Sequence, residues 1–189
     1  MGGTSIPAIL EATRRVVAEC GPGGFTMSAI ASSAGVSRPT LYKWFPSRDV
    51  LLDAFTAYEE ELFDARLTAV VAAERSPARK LDAAVHLLLN YLDGLTGPDP
   101  IGAEPAYAIQ SLADALPRQT SSLVRVLGDA LDVIPSVQQG QLTREQAGEL
   151  LLRLVDSHYL MPHPDPQLLL AGIRAFAGLP RRSISRAVG

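Results

Sequence analysis

Arg38, Thr40, Tyr42 and Lys43 stand within six residues of one another, in the stretch GVSRPTLYKWFP over 35–46. These are groups that read and grip a DNA duplex. A guanidinium pairs bidentately with guanine, and a threonine offers its methyl to thymine or its hydroxyl to a base or phosphate. A phenol and an ammonium suit phosphate oxygens. A core helix would carry the aromatics without the cations, and a solvated helix would do the reverse. A helix with one face packed on its own domain and the other turned to nucleic acid needs both. Leu41 and Phe45, four residues apart, serve the packed face, while Arg38, Tyr42 and Lys43 point outward.

Such a helix needs a frame. Thr26 is placed to cap a helix over 27–34, and Gly35 supplies the left-handed backbone of a tight turn. Ser37 caps the next helix. Pro39 sits in its first turn, where the missing N–H costs nothing, and Pro46 ends it after Phe45. Ala31 is small where the two helices press together, Val36 fills the corner, and Ile30, Leu41 and Trp44 or Phe45 lock the pair onto a preceding helix. That helix carries Ile9, Ala12, Thr13, Val16, Val17 and Cys20 on one face, and GPGG at 21–24 ends it. The unit is a helix-turn-helix. The residues nearest the base edges are then Ser37, Arg38, Pro39 and Thr40. Thr26 and Ser47 mark helix N-termini, whose free N–H groups favour phosphate, and Arg48 adds a cation there.

Ser47 caps a longer helix over 48–74, which at ~1.5 Å per residue spans ~40 Å and can join two bodies. Further helices are predicted over 78–96, over 103–116 ending at Pro117, and over 118–139 with a kink at Pro135. Thr143 and Gln146 form a capping box that opens a helix through Tyr159. Asp165 caps the last helix, which Pro166 starts and Gly178-Leu-Pro180 ends. No segment reads as a strand. The expected fold is all-α, with a DNA-binding domain over 1–50, a larger helical domain over 51–180 and a mobile tail over 181–189. Leu150, Leu151, Leu154, Val155, Leu169, Ile173 and Phe176 exceed what one buried face requires. This predicts that the last two helices pair with their copies in a homodimer.

Composition narrows the remaining classes. The net charge is −3, yet residues 1–49 hold five cations against three acids, so the basic excess lies around the quoted stretch. Cys20 is the only cysteine, which excludes an internal disulfide, and it is expected as a buried, inert thiol. No Cys/His spacing suits a metal, no nucleophile–base or carboxylate pair suggests catalysis, and no cofactor motif is evident. Glu59-Glu60-Glu61 reads as a solvated face. The N-terminus lacks a signal-peptide pattern and no apolar run approaches the ~20 residues that cross a bilayer, so no membrane partner is expected and a cytoplasmic location is.

The residues Phe25-Thr26, Ile30-Ala31, Ala34-Gly35-Val36-Ser37, Thr40-Leu41-Tyr42, Phe45-Pro46-Ser47-Arg48 and Leu51-Leu52 together resemble the N-terminal domain of the TetR (tetracycline repressor-like) family of transcriptional regulators. The resemblance covers residues 8–60. It implies phosphate contacts for Thr26, Tyr42 and Arg48, and base or flanking phosphate contacts for Arg38, Thr40 and Lys43. The sequence departs from the family at Pro39, which removes a side-chain donor, and at Trp44, which stands where histidine is frequent and either donates its indole N–H to phosphate or packs. The resemblance further implies a helical effector-binding body, whose cavity helices would carry Tyr91, Tyr107 and Gln110. His158 is expected in a pocket or an interface. The expected function is repression at a palindromic double-stranded operator, relieved by a small apolar effector. The alternative is a small-molecule-binding protein with a vestigial DNA-binding unit.

Overall fold

A computed structural model describes residues 5–95, 105–161 and 165–179, and every regular element among them is helical. The expected tail over 181–189 lies outside the described residues. The chain divides into two compact units, residues 1–66 with 92–110 and residues 67–91 with 111–189.

The first unit is built on α1 (Ile6–Gly24), α2 (Met27–Ser33), α3 (Arg38–Trp44) and the start of α4 (Arg48–Ala72). Gly21, at φ 76° and ψ 165°, breaks the ladder of α1 where GPGG is expected to end it, although helical turns resume to Gly24. Ile9, Leu10 and Val16 of α1, Ile30 and Ala31 of α2, Leu41 of α3, and Leu51 and Phe55 of α4 form one apolar cluster with Phe25 and Phe45. Thr13 lies within this apolar face of α1, and its hydroxyl is satisfied by donating to the Ile9 carbonyl. Two side chains depart from expectation. Cys20 is exposed, one residue before the break in α1. Glu59 is buried rather than solvated.

The second unit contains the end of α4, most of α5 (Pro77–Leu95) and of α6 (Pro105–Leu127), α7 (Pro135–Gln138), α8 (Arg144–Leu160) and α9 (Pro166–Phe176). Its fully enclosed side chains include Leu67, Leu81, Leu123, Leu131, Ile134 and Leu151. The expected break at Pro117 does not occur, since α6 runs straight through it. The ring deprives only the Ala113 carbonyl of its partner, and Ala113 is exposed to water, while Leu123 and Leu127 downstream are buried and hold the helix in place. The expected helix over 118–139 is instead three pieces. Gly128, at φ 51°, ends α6, a 3-10 segment covers Gly128–Val133, and Pro135 starts α7 instead of kinking a longer helix. The capping box forms as expected, with Thr143 Oγ1 accepting from Gln146 N and Gln146 Oε1 accepting from Thr143 N.

Candidate nucleic-acid interface

The turn between α2 and α3 follows from local chemistry. At the end of α2, Val36 N–H bonds the Ala31 carbonyl at 2.9 Å and Gly35 N–H bonds the Ser32 carbonyl at 3.1 Å. This pairing closes the helix only if the residue between has a left-handed backbone, and Gly35 has φ 67°. Arg15 from α1 adds a guanidinium hydrogen bond to the Ser33 carbonyl at 3.2 Å, covering another acceptor at that end. Ser37 Oγ then accepts from Thr40 N at 3.2 Å and lies 2.8 Å from Thr40 Oγ1, so both hydroxyls are tied to the first turn of α3. Thr26 Oγ1 caps α2 through Ala29 N at 3.1 Å, and Ser47 Oγ caps α4 through Val50 N at 3.2 Å.

Seven residues of α3 are thereby sorted into two faces. Leu41 is wholly enclosed, and Phe45, just past the helix, is 4% exposed. Arg38, Pro39, Tyr42, Lys43 and Trp44 are all exposed, with Thr40 half-buried beside the Ser37 cap. Phe45, and not Trp44, is the aromatic lock on the core, which leaves the indole 45% exposed on the outer side. The outward face of α3 therefore holds two cations, a phenol and an indole, with no acid among residues 35–48.

Arg48 is placed differently. Its guanidinium lies over the Phe25 ring, 4.6 Å from the centroid, and its Nε is shut off from solvent. A second charged contact lies between α1 and α4, where Arg14 Nε and Nη2 donate to the two carboxylate oxygens of Glu59 at 2.8 and 2.9 Å. The sequence carries a signal for this pair. Glu59 falls four residues after Phe55 on the inward stripe of α4, and Arg14 four after Leu10 on that of α1, so each charge needed a partner.

The residues expected at the effector site do not fall in one unit. Half-buried Tyr91 and buried His158 belong to the second, and exposed Gln110 to the first. Tyr107 lies on α6 in the first unit, and its side chain is outside the described residues. Of the residues expected at a dimer interface, Leu151, Val155 and Ile173 are enclosed within their own chain, which removes them from the outer surface. Leu154 and Leu169 are half-buried, and Leu150 and Phe176 are exposed together with Leu168, which is 60% exposed. Among the described residues no group of three or more His, Cys, Asp or Glu side chains could hold a metal, and no helix is long and apolar enough to cross a membrane.

Residues 9–55 match the model of the bacterial regulatory proteins of the tetR family. An HTH-type transcriptional regulator of Mycobacterium tuberculosis is 30% identical over 106 residues, which are 52% of this chain and 52% of that protein. The chain thus matches about half the length of that relative. The nucleoid occlusion factor SlmA of a Marinomonas species is 28% identical over 138 residues, 72% of this chain and 64% of its own. Among solved structures, AibR in complex with isovaleryl coenzyme A and operator DNA superposes with a TM-score of 0.60 at 20% identity, over 92% of this chain and 98% of that one. The fatty acid degradation regulator FadR of Bacillus halodurans gives 0.55 at 19% identity over 95% of each chain. Residues 9–55 thus carry the helix-turn-helix of the tetR family of bacterial regulatory proteins, and the all-helical fold of the chain is like that of TetR-family regulators.

Proposed function

We propose that the protein is a repressor that binds a palindromic double-stranded operator as a homodimer in the cytoplasm and is released by a small apolar effector. The observation that carries this reading is the outward face of α3, where Arg38, Tyr42, Lys43 and Trp44 are exposed while Leu41 and Phe45 hold the helix from behind. In a groove-bound helix of this kind, Ser37, Arg38, Pro39 and Thr40 lie nearest the bases, and Thr26, Tyr42 and Lys43 reach the flanking phosphates. Trp44 joins the phosphate contacts through its indole N–H. Two copies would place their recognition helices roughly 34–36 Å apart, one turn of duplex.

The dimer is supported by the exposed apolar residues Leu150, Leu168 and Phe176 on α8 and α9, which a protomer alone leaves in water. The fold neighbours AibR and the FadR of Bacillus subtilis were solved with isovaleryl coenzyme A and stearoyl-CoA, whose acyl chains are apolar although their coenzyme A portion is polyanionic, so they support the apolar part of the effector only. Tyr91 and His158, which share the second unit, are the side chains proposed to meet the ligand. Release depends on the effector's differential affinity for the DNA-binding and non-binding conformations, since a ligand that binds both equally shifts nothing.

The test is a mobility shift at stated salt with DNA from upstream of the protein's own gene. A retarded band that Arg38→Ala weakens by ~1–3 kcal/mol, with relaxed base preference, supports the reading. Lys43→Ala should weaken all sequences alike and flatten the salt dependence. If Arg38→Ala binds every sequence as the wild type does, Arg38 is outside the groove. A chain that binds small apolar ligands but no duplex is a binding protein with a vestigial DNA unit.

A further inference from the structure

Arg48 is a cation in the first turn of α4, the end at which the helix dipole disfavours positive charge. Its position therefore calls for a specific source of negative potential. A DNA phosphate is one candidate. The structure contains another in the face of the Phe25 ring, on which the guanidinium sits at 4.6 Å. That separation is within the ~6 Å over which a cation is held by an aromatic quadrupole. Phe25 is 4% exposed and belongs to the apolar cluster of the head, so the ring is fixed. The guanidinium is half-buried against it, with Nε closed to water, and a planar, weakly hydrated cation tolerates that position better than an ammonium would.

The two residues sit at informative places in the chain. Phe25 immediately precedes Thr26, the cap of α2, and Arg48 begins α4 three residues beyond Phe45, where α3 ends. The stack therefore ties the entrance of α2 to the exit of α3, closing the helix-turn-helix across its open side. We propose that Arg48 is a positioning residue of the DNA-binding head, acting through Phe25 to hold α3 in its orientation, and that it is not principally a phosphate ligand. This rests on the DNA-binding reading above.

The two roles differ in their salt signature. A phosphate contact releases counterions, so its loss lowers the slope of log K against log salt by about 0.9 per protomer. Loss of a brace weakens binding and leaves the slope unchanged. The experiment measures operator affinity of the full chain by fluorescence anisotropy at several salt concentrations, for wild type, Arg48→Met, Arg48→Lys, Phe25→Leu and the double variant Phe25→Leu/Arg48→Met. Circular dichroism melts accompany each. Arg48→Met and Phe25→Leu should each weaken binding roughly 3- to 30-fold at unchanged slope, the range a cation–π contact can supply. The double variant should bind less weakly than the two single losses added together, because the stack is shared by both. Arg48→Lys should remain weakened. If Arg48→Met lowers the slope by about one per protomer, or if Arg48→Lys restores full affinity, the proposal is overturned. Should Phe25→Leu fail to fold, the two Arg48 variants decide alone. If wild type binds no DNA, the DNA-binding reading fails, which is a separate result.

Discussion

Helices α2 and α9 end in the same way in two different units. In the first unit Val36 N–H reaches back to Ala31 and Gly35 N–H to Ser32, and in the second Leu179 N–H reaches Arg174 and Gly178 N–H to Ala175. Both glycines have φ 67°. Their surroundings differ. A Cβ built on Gly35 meets nothing within 4 Å, whereas one on Gly178 falls 2.6 Å from Pro135 Cδ. The head uses the motif for direction only, turning the chain so that α3 leaves with its cations outward. The body uses it for closure, seating the end of α9 against the start of α7. The bidentate arginine–carboxylate pairs repeat this contrast. Arg14–Glu59 in the head is 22% and 11% exposed at its side chains, and Arg144–Asp132 in the body is 41% and 47% exposed. The Arg144 hydrogen bonds hold the Asp132 carboxyl below its ordinary range, and Asp132 in turn raises Arg144. Of these two forks the one in the head is enclosed and the one in the body lies in water, although the body encloses a different pair, Arg174 with Asp82, at 11% and 14% exposure.

Substituting the second glycine should break the comparison most strongly. Gly178→Ala combines the left-handed penalty of about 1–2 kcal/mol with overpacking against Pro135 of about 1–3 kcal/mol. A loss of about 2–5 kcal/mol is expected in denaturant unfolding. Next is the enclosed pair. Glu59→Gln leaves Arg14 facing a neutral partner and should cost about 2–3 kcal/mol, somewhat under the ~3–5 kcal/mol of a wholly buried pair because Arg14 keeps some water. Pairing it with Arg14→Met should recover part of that loss, and strict additivity of the two would show that the fork does not couple them. Gly35→Ala, with open space for its methyl, should cost only the backbone term, roughly 1–2 kcal/mol. A loss equal to that of Gly178→Ala would erase the distinction between a turn that steers and a turn that seals.

The head was legible in the sequence because its signals are local. A cap, a glycine and a proline each specify a backbone within four residues, as Thr26, Gly35, Ser37 and Pro46 do. The two faces of α3 followed from side-chain type alone. Charges bridging distant segments were not legible in this way. Arg14 and Glu59 are 45 residues apart, and Arg48 reaches a ring at the far end of the two short helices. In the body, local rules misled. Pro117 has the appearance of a helix end, but the buried Leu123 and Leu127 beyond it outweigh one missing hydrogen bond. The apolar residues of α8 and α9 lie on more than one face, and periodicity does not show that Leu151, Val155 and Ile173 turn inward while Leu150, Leu168 and Phe176 turn outward.

The smallest expected effect concerns another carboxylate with little access to water. Glu59 in the head is matched by an arginine fork. Asp156 on α8 is half-buried and is opposed only at longer range by Arg153, so desolvation pushes its carboxyl up from 3.8 to about 6. The folded state therefore holds this proton more tightly than the unfolded chain does. The associated stability is fully present below 3.8 and is lost as pH rises through about 6, which leaves a charged, poorly solvated carboxylate at neutral pH. Asp156→Asn removes that charge. It should melt above wild type at pH 8, by a margin that shrinks as pH falls through 6 and vanishes near 3.8. The margin should be small, since Asp156 keeps part of its hydration and Arg153 offsets part of the cost. Thermal melts of both proteins across that range provide the check. An advantage of Asn that is constant with pH would mean that it comes from packing, and that this site in the body, like Glu59 in the head, has its charge already matched.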